Sequence, residues 1–373
     1  MRFRVEGPGA GFDSVRFLHD ALPEISVEEL DTSVPFLGGR SALPFFISCM
    51  TGGSAGGFRA NRVLAEAAQE LDIPVGLGSI RVLLEQPELL PHFDIRRHAP
   101  RAPILANIGG VQVRDGDTGA LLALVKKLDA QALVVHLNAG QEIFQEEGDR
   151  DFRGMTRAIK HLIKDAGIPI IVKETGFGIG PELARDLLAA GAAYVDLAGA
   201  GGTNWISVES YRLPNEERDT AFEFIGWGMP TALLLAAFGG KQARLLASGG
   251  IRSGMDAVKS LAMGAELAGL ALPAIRQAVV GGVGAVVRLF RGLERTLRAV
   301  MVMTGSRTVA ELRSGTTWQA PAFTAEVAAL RDAWAAHAKV RVARRETGST
   351  PRKASAPAAR PGSGKLPKRG FDV

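Results

Sequence analysis

The chain of 373 residues has one cysteine and two tyrosines. It also lacks any run of about 18 uncharged apolar residues, the length a spanning helix needs. Each scarcity excludes something. A single thiol, Cys49, cannot close an internal disulfide, which fits a reducing compartment. It sits in the apolar run Phe45-Phe-Ile-Ser-Cys-Met50 with no basic neighbour in sequence. It therefore reads as a small buried hydrophobe rather than an activated nucleophile. No membrane-spanning helix is expected, and the opening Met1-Arg-Phe-Arg-Val-Glu-Gly-Pro has no apolar signal core. The expectation is a cytoplasmic protein. Excess positive charge is scarce too, once it is located. The net charge is +5, but Lys339 to Val373 holds ten Lys or Arg against two acids. That segment carries +8 and the rest −3, so the body gives no sign of a nucleic-acid partner.

What the chain does have is an ordinary globular balance, 46% hydrophobic and 22% charged. Eight short apolar runs punctuate it: Pro44–Cys49, Pro74–Leu77, Pro103–Ala106, Ala132–Val135, Pro169–Val172, Ala193–Leu197, Arg244–Ala247 and Ala268–Ala271. Most are apolar on both faces, the pattern of buried parallel strands. Amphipathic stretches lie between them, among them 61–71, 120–128, 155–165, 182–190, 230–237 and 255–263. Alternation of this kind predicts an α/β protein, a (β/α)8 TIM barrel, with a doubly wound open sheet as the runner-up. Residues 1–40 are expected as an N-terminal cover and 41–315 as the barrel with its closing helices. Helix is expected over 275–313 and again over 321–345, the latter within a C-terminal segment 316–345. Residues 346–373, rich in Pro, Ser, Gly and Lys, are expected as a disordered basic tail.

Barrel enzymes carry their sites at the C-terminal ends of the strands. Here the fourth run, Ala132-Leu-Val-Val135, ends in His136-Leu-Asn-Ala-Gly-Gln-Glu142, four polar side chains in seven residues. His136 and Asn138 lie on one side of an extended chain. Glu142 is either a hard oxygen ligand for Mg²⁺ or a helix-start acid offsetting the dipole. The fifth run ends in Lys173-Glu174. A lysine there needs an anionic partner. Glu174, the electron-rich carbonyl edge of a flavin, and a Schiff-base role all remain open. The seventh run ends in Ser248-Gly-Gly-Ile-Arg-Ser-Gly254. Main-chain amides of such a turn, at a helix start, commonly hold a phosphate in barrels. Trp205, after Gly199-Ala-Gly-Gly-Thr-Asn, either lines an apolar pocket or packs under a loop.

Taken in order, His19-Asp-Ala-Leu-Pro-Glu24, Phe36-Leu-Gly-Gly39, Met50-Thr-Gly-Gly53, Gly78-Ser-Ile-Arg81, Asn107-Ile-Gly109, His136 to Glu142, Asp151-Phe-Arg-Gly154, Val172-Lys-Glu174, Gly199 to Thr203 and Ser248-Gly-Gly250 closely resemble the type 2, FMN-dependent isopentenyl-diphosphate isomerases. The likeness runs over about residues 10–315. It implies a homotetramer or homo-octamer, FMN active in its reduced form, NADPH as reductant, and Mg²⁺. It implies isopentenyl diphosphate and dimethylallyl diphosphate as substrate and product in isoprenoid synthesis, interconverted by a 1,3-proton shift. By position, FMN would meet Met50, Thr51, Gly52, Ser79, Asn107, Lys173, Thr203, Gly250, Ile251, Arg252, Ala271 and Leu272. Substrate would meet Ser79, Arg81, His136, Asn138, Gln141 and Trp205, and Glu142 would hold Mg²⁺. Gln141, Lys173 and His136 are the candidate catalytic residues, Gln141 as a group that orients or relays rather than an acid.

The family carries an Arg-Lys-x-x-His element upstream of the His-x-Ala-Leu-Pro match. Met1 falls after that point, and Arg2 and Arg4 are poorly spaced substitutes. This keeps a catalytically weakened flavin-binding relative in view. A second alternative is an FMN-dependent 2-hydroxy-acid oxidase, which shares the glycine turn. That chemistry needs a His base and an Arg after the sixth strand, where this chain has Gly-Ala-Gly-Gly-Thr-Asn-Trp205.

Overall fold

All eight apolar runs are strands, and the sheet closes. A computed structural model describes residues 5–52, 54–239 and 244–347. Its barrel strands are Phe45–Ile47, Val75–Ser79, Ile104–Gly109, Ala132–Leu137, Ile170–Glu174, Tyr194–Asp196, Leu245–Ala247 and Leu267–Leu270. Neighbours pair in parallel throughout, and the eighth pairs with the first through Ala268 to Leu270 against Phe45 to Ile47. The open-sheet alternative is thereby excluded, since no barrel strand is left as an edge.

Proline marks the entry of four strands for a physical reason. It lacks the N–H a ladder would use but keeps its carbonyl. The carbonyls of Pro44, Pro74, Pro103 and Pro169 each accept from the neighbouring strand, from Ala268, Ile47, Val75 and Leu133, at 2.9 to 3.0 Å. The strand interiors are Val, Ile, Leu and Ala, buried on both faces and joined into one continuous core. Helices such as Ala55–Leu71, Thr118–Lys127, Met155–Asp165, Pro181–Ala189, Thr231–Phe238 and Gly254–Ala262 form the outer ring.

Three expectations need correction. The helix foreseen over 275–313 instead spans Leu272–Met303. It bends at Gly282, whose φ of 62° and ψ of −159° no helix holds, and it stops before Gly305 at φ 64°. This helix is long and apolar enough to cross a membrane by length and composition, with mean hydropathy 1.3 in its best window. In the fold it packs on the Ala55–Leu71 and Gly254–Ala262 helices. Second, the C-terminal segment opens with a strand, Thr317–Gln319, paired antiparallel with Val15–Phe17 of the N-terminal cover. Third, its helix, Pro321–Thr347, runs two residues past its foreseen end at 345 and so into the foreseen tail. The rest of that tail, and Arg2, Arg4 and Gly53, lie outside the described residues.

The N-terminal cover reaches the barrel mouth. Gly7 N donates to Gly202 O at 2.8 Å and Asn204 N to Val5 O at 2.7 Å, so the segment runs antiparallel to the loop after the sixth strand.

Candidate active site

At the C-terminal end of the barrel is a cavity of about 500 Å³, within the usual range for small-molecule sites. It gathers the residues foreseen for it. Met50, Thr51, Ser79, Arg81, Asn107, His136, Asn138, Gln141, Glu142, Lys173, Thr203, Trp205, Gly250, Ile251, Arg252, Ala271 and Leu272 all line it. Gly52 does not. It packs behind the wall against Phe93, whose ring lies 2.2 Å from where a Cβ would stand.

The fourth strand places His136 at its end, and the short helix Ala139–Phe144 starts immediately after it. The His136 Nδ1 lies 3.0 Å from Asn107 Oδ1, one strand away. With that oxygen accepting, Nδ1 carries the proton and Nε2 is an acceptor. Enclosure in the wall, then the charges of Lys173 and Arg81, push this imidazole down to about 3. It is therefore neutral across the physiological range. Asn107 itself keeps a buried amide nitrogen with no hydrogen-bond partner. A donor stranded on a cavity wall is what a ligand carbonyl would satisfy.

Glu142 is buried. Its two oxygens accept from Asn138 Nδ2 at 2.8 Å and from the Asp149 main-chain N at 2.9 Å. Among the described residues, no three His, Cys, Asp or Glu side chains group as a metal site. Glu142 stands as a lone carboxylate, a donor set that suits Mg²⁺ only where a ligand's phosphates complete the shell. Gln141 is held from across the mouth. Its Nε2 donates at 2.9 Å to Glu209 Oε1, and Glu209 is itself buried on the short helix Trp205–Ser210. Glu209 was not foreseen. It stands 68 positions from Gln141 in the chain, and nothing local marks it.

Lys173 is buried, and its ammonium donates to the Glu174 main-chain carbonyl. The Glu174 carboxylate is not its partner. That group turns into the following loop, where the N–H groups of Thr175, Gly176, Phe177 and Gly178 all converge on Oε2. The cation is thus presented to the cavity. A buried ammonium on a cavity wall favours an electron-rich ligand edge.

The opposite wall is backbone. Gly249 and Gly250 take φ of 91° and 75°, which few residues but glycine adopt. A Cβ at Gly250 would stand 2.7 Å from the Gly201 carbonyl carbon, and one at Gly202 would stand 2.7 Å from Gly250 N. Among the described residues, the N–H groups of Gly250 and Ile251 meet no acceptor. This fits a phosphate cradle. Arg252 contributes less than foreseen. Its N–H goes to Asp256 at 3.1 Å and its guanidinium to Glu6 at 2.7 Å. Thr175 was also missed; its buried, unpartnered hydroxyl lines the same cavity.

Free backbone donors, a stranded Asn107 amide and a buried cation on one cavity fit a phosphorylated, electron-rich cofactor such as FMN. Known proteins agree. The sequence profile of the FMN-dependent dehydrogenases matches residues 136–319. Solved structures of a lactate oxidase from Pediococcus acidilactici and of an (S)-mandelate dehydrogenase superpose with TM-scores of 0.62 and 0.61. Each covers 85% of this chain, and the chain covers 89% and 93% of them, at 17% and 16% identity, so they speak for the fold alone. Sequence relatives are nearer. An isopentenyl-diphosphate delta-isomerase of Pyrococcus abyssi is 40% identical over 313 residues, 81% of this chain and 85% of that protein. One of Rickettsia bellii is 40% identical over 311 residues, 82% and 91% of the two chains. One of Methanoregula boonei is 40% identical over 316 residues, 83% and 88%. With four-tenths identity across four-fifths of its length, and the family's polar strand ends gathered in one cavity, this chain belongs to the isopentenyl-diphosphate delta-isomerase family.

Proposed function

We propose that the chain interconverts isopentenyl diphosphate and dimethylallyl diphosphate by a 1,3-proton shift, using reduced FMN and Mg²⁺, with NADPH as reductant. We also propose that it works in the cytoplasm as a homotetramer or homo-octamer. One observation carries the chemistry: the diphosphate-competent groups Arg81, His136, Asn138, Gln141 and Glu142 share a single cavity with the glycine cradle and Lys173.

A proton adds to the terminal alkene carbon and another leaves the carbon two positions away, so no net oxidation occurs. Bound reduced FMN supplies the acid and base capacity that an unactivated alkene demands. The cradle of Gly250 and Ile251 would take the cofactor phosphate. Asn107 Nδ2 and Lys173 would hold the electron-rich edge of its ring, where the cation would favour the reduced, anionic form. Arg81 and Asn138 grip the diphosphate. His136 is neutral here and can accept a hydrogen bond through Nε2. Glu142 would hold Mg²⁺ against the diphosphate oxygens. Gln141, fixed by Glu209, orients the reacting end without acting as an acid. Trp205 walls the hydrocarbon end and keeps water out.

The test is anaerobic turnover. Protein loaded with FMN and Mg²⁺ and reduced by NADPH should convert isopentenyl diphosphate to dimethylallyl diphosphate, and oxidised protein should not. No conversion under reducing conditions would sink the reading. A 2-hydroxy-acid oxidase is favoured only by fold. The loop 198–205 holds neither His nor Arg, so no oxidation of lactate or mandelate is expected.

A further inference from the structure

Among the described residues, Asp196 is a buried charge that the roles above leave unused. Asp196 ends the sixth strand and is 1% exposed. Ser248 donates its hydroxyl to both carboxylate oxygens, at 2.8 and 2.9 Å, and its N–H at 3.1 Å; Ala198 N adds a bond at 3.3 Å. Every one of these donors is neutral. A carboxylate so enclosed is costly to keep charged unless a cation lies near.

The strand register supplies that cation. Lys173 stands directly opposite Asp196 on the adjacent parallel strand. Residues in register present their side chains to the same face of a sheet. Lys173 lines the cavity, and Asp196 is one hydrogen bond removed from it, through Ser248, which also lines the cavity.

Among the described residues, four titratable groups with displaced pKa values feel the Lys173 charge: Cys49 in the cavity lining, His136 on the fourth strand, Glu174 on its own strand and Asp196 on the sixth. Three of them cannot serve as its counter-charge. Burial pushes the Cys49 thiol up to about 12, so it is uncharged. His136 is pushed down to about 3 and is likewise neutral. Glu174 is turned to four main-chain N–H groups, and Lys173 is the last of the influences on it. For Asp196, burial raises the carboxyl and Lys173 is the foremost influence opposing that rise.

We propose that Asp196 is the counter-charge of Lys173, a positioning residue that fixes the ammonium at the cavity wall and so holds it ready for the FMN ring edge. The second half of this statement rests on the FMN reading; the pairing itself does not.

Two measurements separate them. The first uses flavin-free protein and compares the melting temperatures of Lys173→Met, Asp196→Asn and the double variant. Removing one charge of a buried pair leaves the other uncompensated, whereas removing both does not. The double variant should lose less than the two single losses added together. If Asp196→Asn alone does not fold, the double variant should. A double variant that fails equally would assign Asp196 to Ser248 alone and overturn the proposal.

The second follows the bound flavin at one pH. With the ammonium no longer held in place, the FMN Kd of Asp196→Asn should rise about tenfold relative to the wild type, and the reduction potential of the bound flavin should fall, because the cation favours the reduced, anionic form. Glu174→Gln, which keeps an acceptor for the loop amides, should match the wild type in both. Additive melting losses, or a Kd and potential unchanged in Asp196→Asn, would overturn the proposal. Coupled melting losses in protein that never binds FMN would leave the pair standing and sink the cofactor reading.

Discussion

The two sides of the barrel mouth are made of different material. Strands three to five present side chains: Asn107, His136, Asn138 and Lys173. The loops after strands six and seven present backbone. Gly199, Gly201, Gly202, Gly249 and Gly250 pack so closely that any added Cβ would stand 2.8 Å or less from a neighbouring atom. A side-chain wall can lose a functional group and still stand, because an isosteric replacement at the same position keeps the space filled. A backbone wall cannot, because its contacts are the fold. The first should fail in chemistry and the second in structure.

Gly202→Ala is the sharpest way to break that contrast. Its Cβ would drive into Gly250 N at 2.7 Å. The variant should lose roughly 1–3 kcal/mol of stability and most of its FMN binding, read by thermal unfolding and flavin titration. Unchanged melting would show that the loop yields, and that the backbone wall is softer than drawn.

On the side-chain wall, Glu142→Gln should keep the fold and the flavin. Turnover or Mg²⁺ affinity should fall on the order of 10–100-fold, measured by product formation across a Mg²⁺ series. Loss of FMN from this variant would contradict its assignment.

The smallest effect concerns pH. His136 is held near 3, below its usual 6.5. Between those values the unfolded chain takes up a proton that the folded chain refuses, so stability falls as pH drops below about 6.5. The depressed His136 therefore contributes to stability above that pH and loses the contribution on acidification. Replacing it with Asn should flatten the slope by up to about 1.4 kcal/mol per pH unit, less to the extent that the ring reaches the cavity solvent. Glu174 and Asp196, both raised by burial, act with the opposite sign from about pH 4 upward. The measurement is urea unfolding of flavin-free protein between pH 5 and pH 7, wild type against His136→Asn. Equal slopes would remove His136 from the linkage.

The legible part of the molecule is the part whose signals are local. Each barrel strand is a short Val, Ile, Leu or Ala run, four of them behind a proline, and each was found within a few residues of its true ends. The polar residues that close those strands were equally visible. The strand Thr317–Gln319 was not. It is three residues long and pairs with a segment some 300 positions earlier. The kink at Gly282 was hidden because a glycine in an apolar helical run carries no sign of which dihedral it will take. Asp196 was in plain sight inside an apolar run, yet nothing beside it named Lys173 or Ser248 as company.

The sequence alone determined the strand count, the polar mouth, the glycine turn and the family resemblance, because period, burial and turn chemistry are written in neighbouring residues. Tertiary structure decided which groups meet. It turned Glu174 away from Lys173 and set Asp196 opposite it. It tied Gln141 to Glu209 and latched Glu6 onto Arg252. Those pairings depend on strand register and on barrel closure. Both are properties of the whole sheet, and no single segment encodes them.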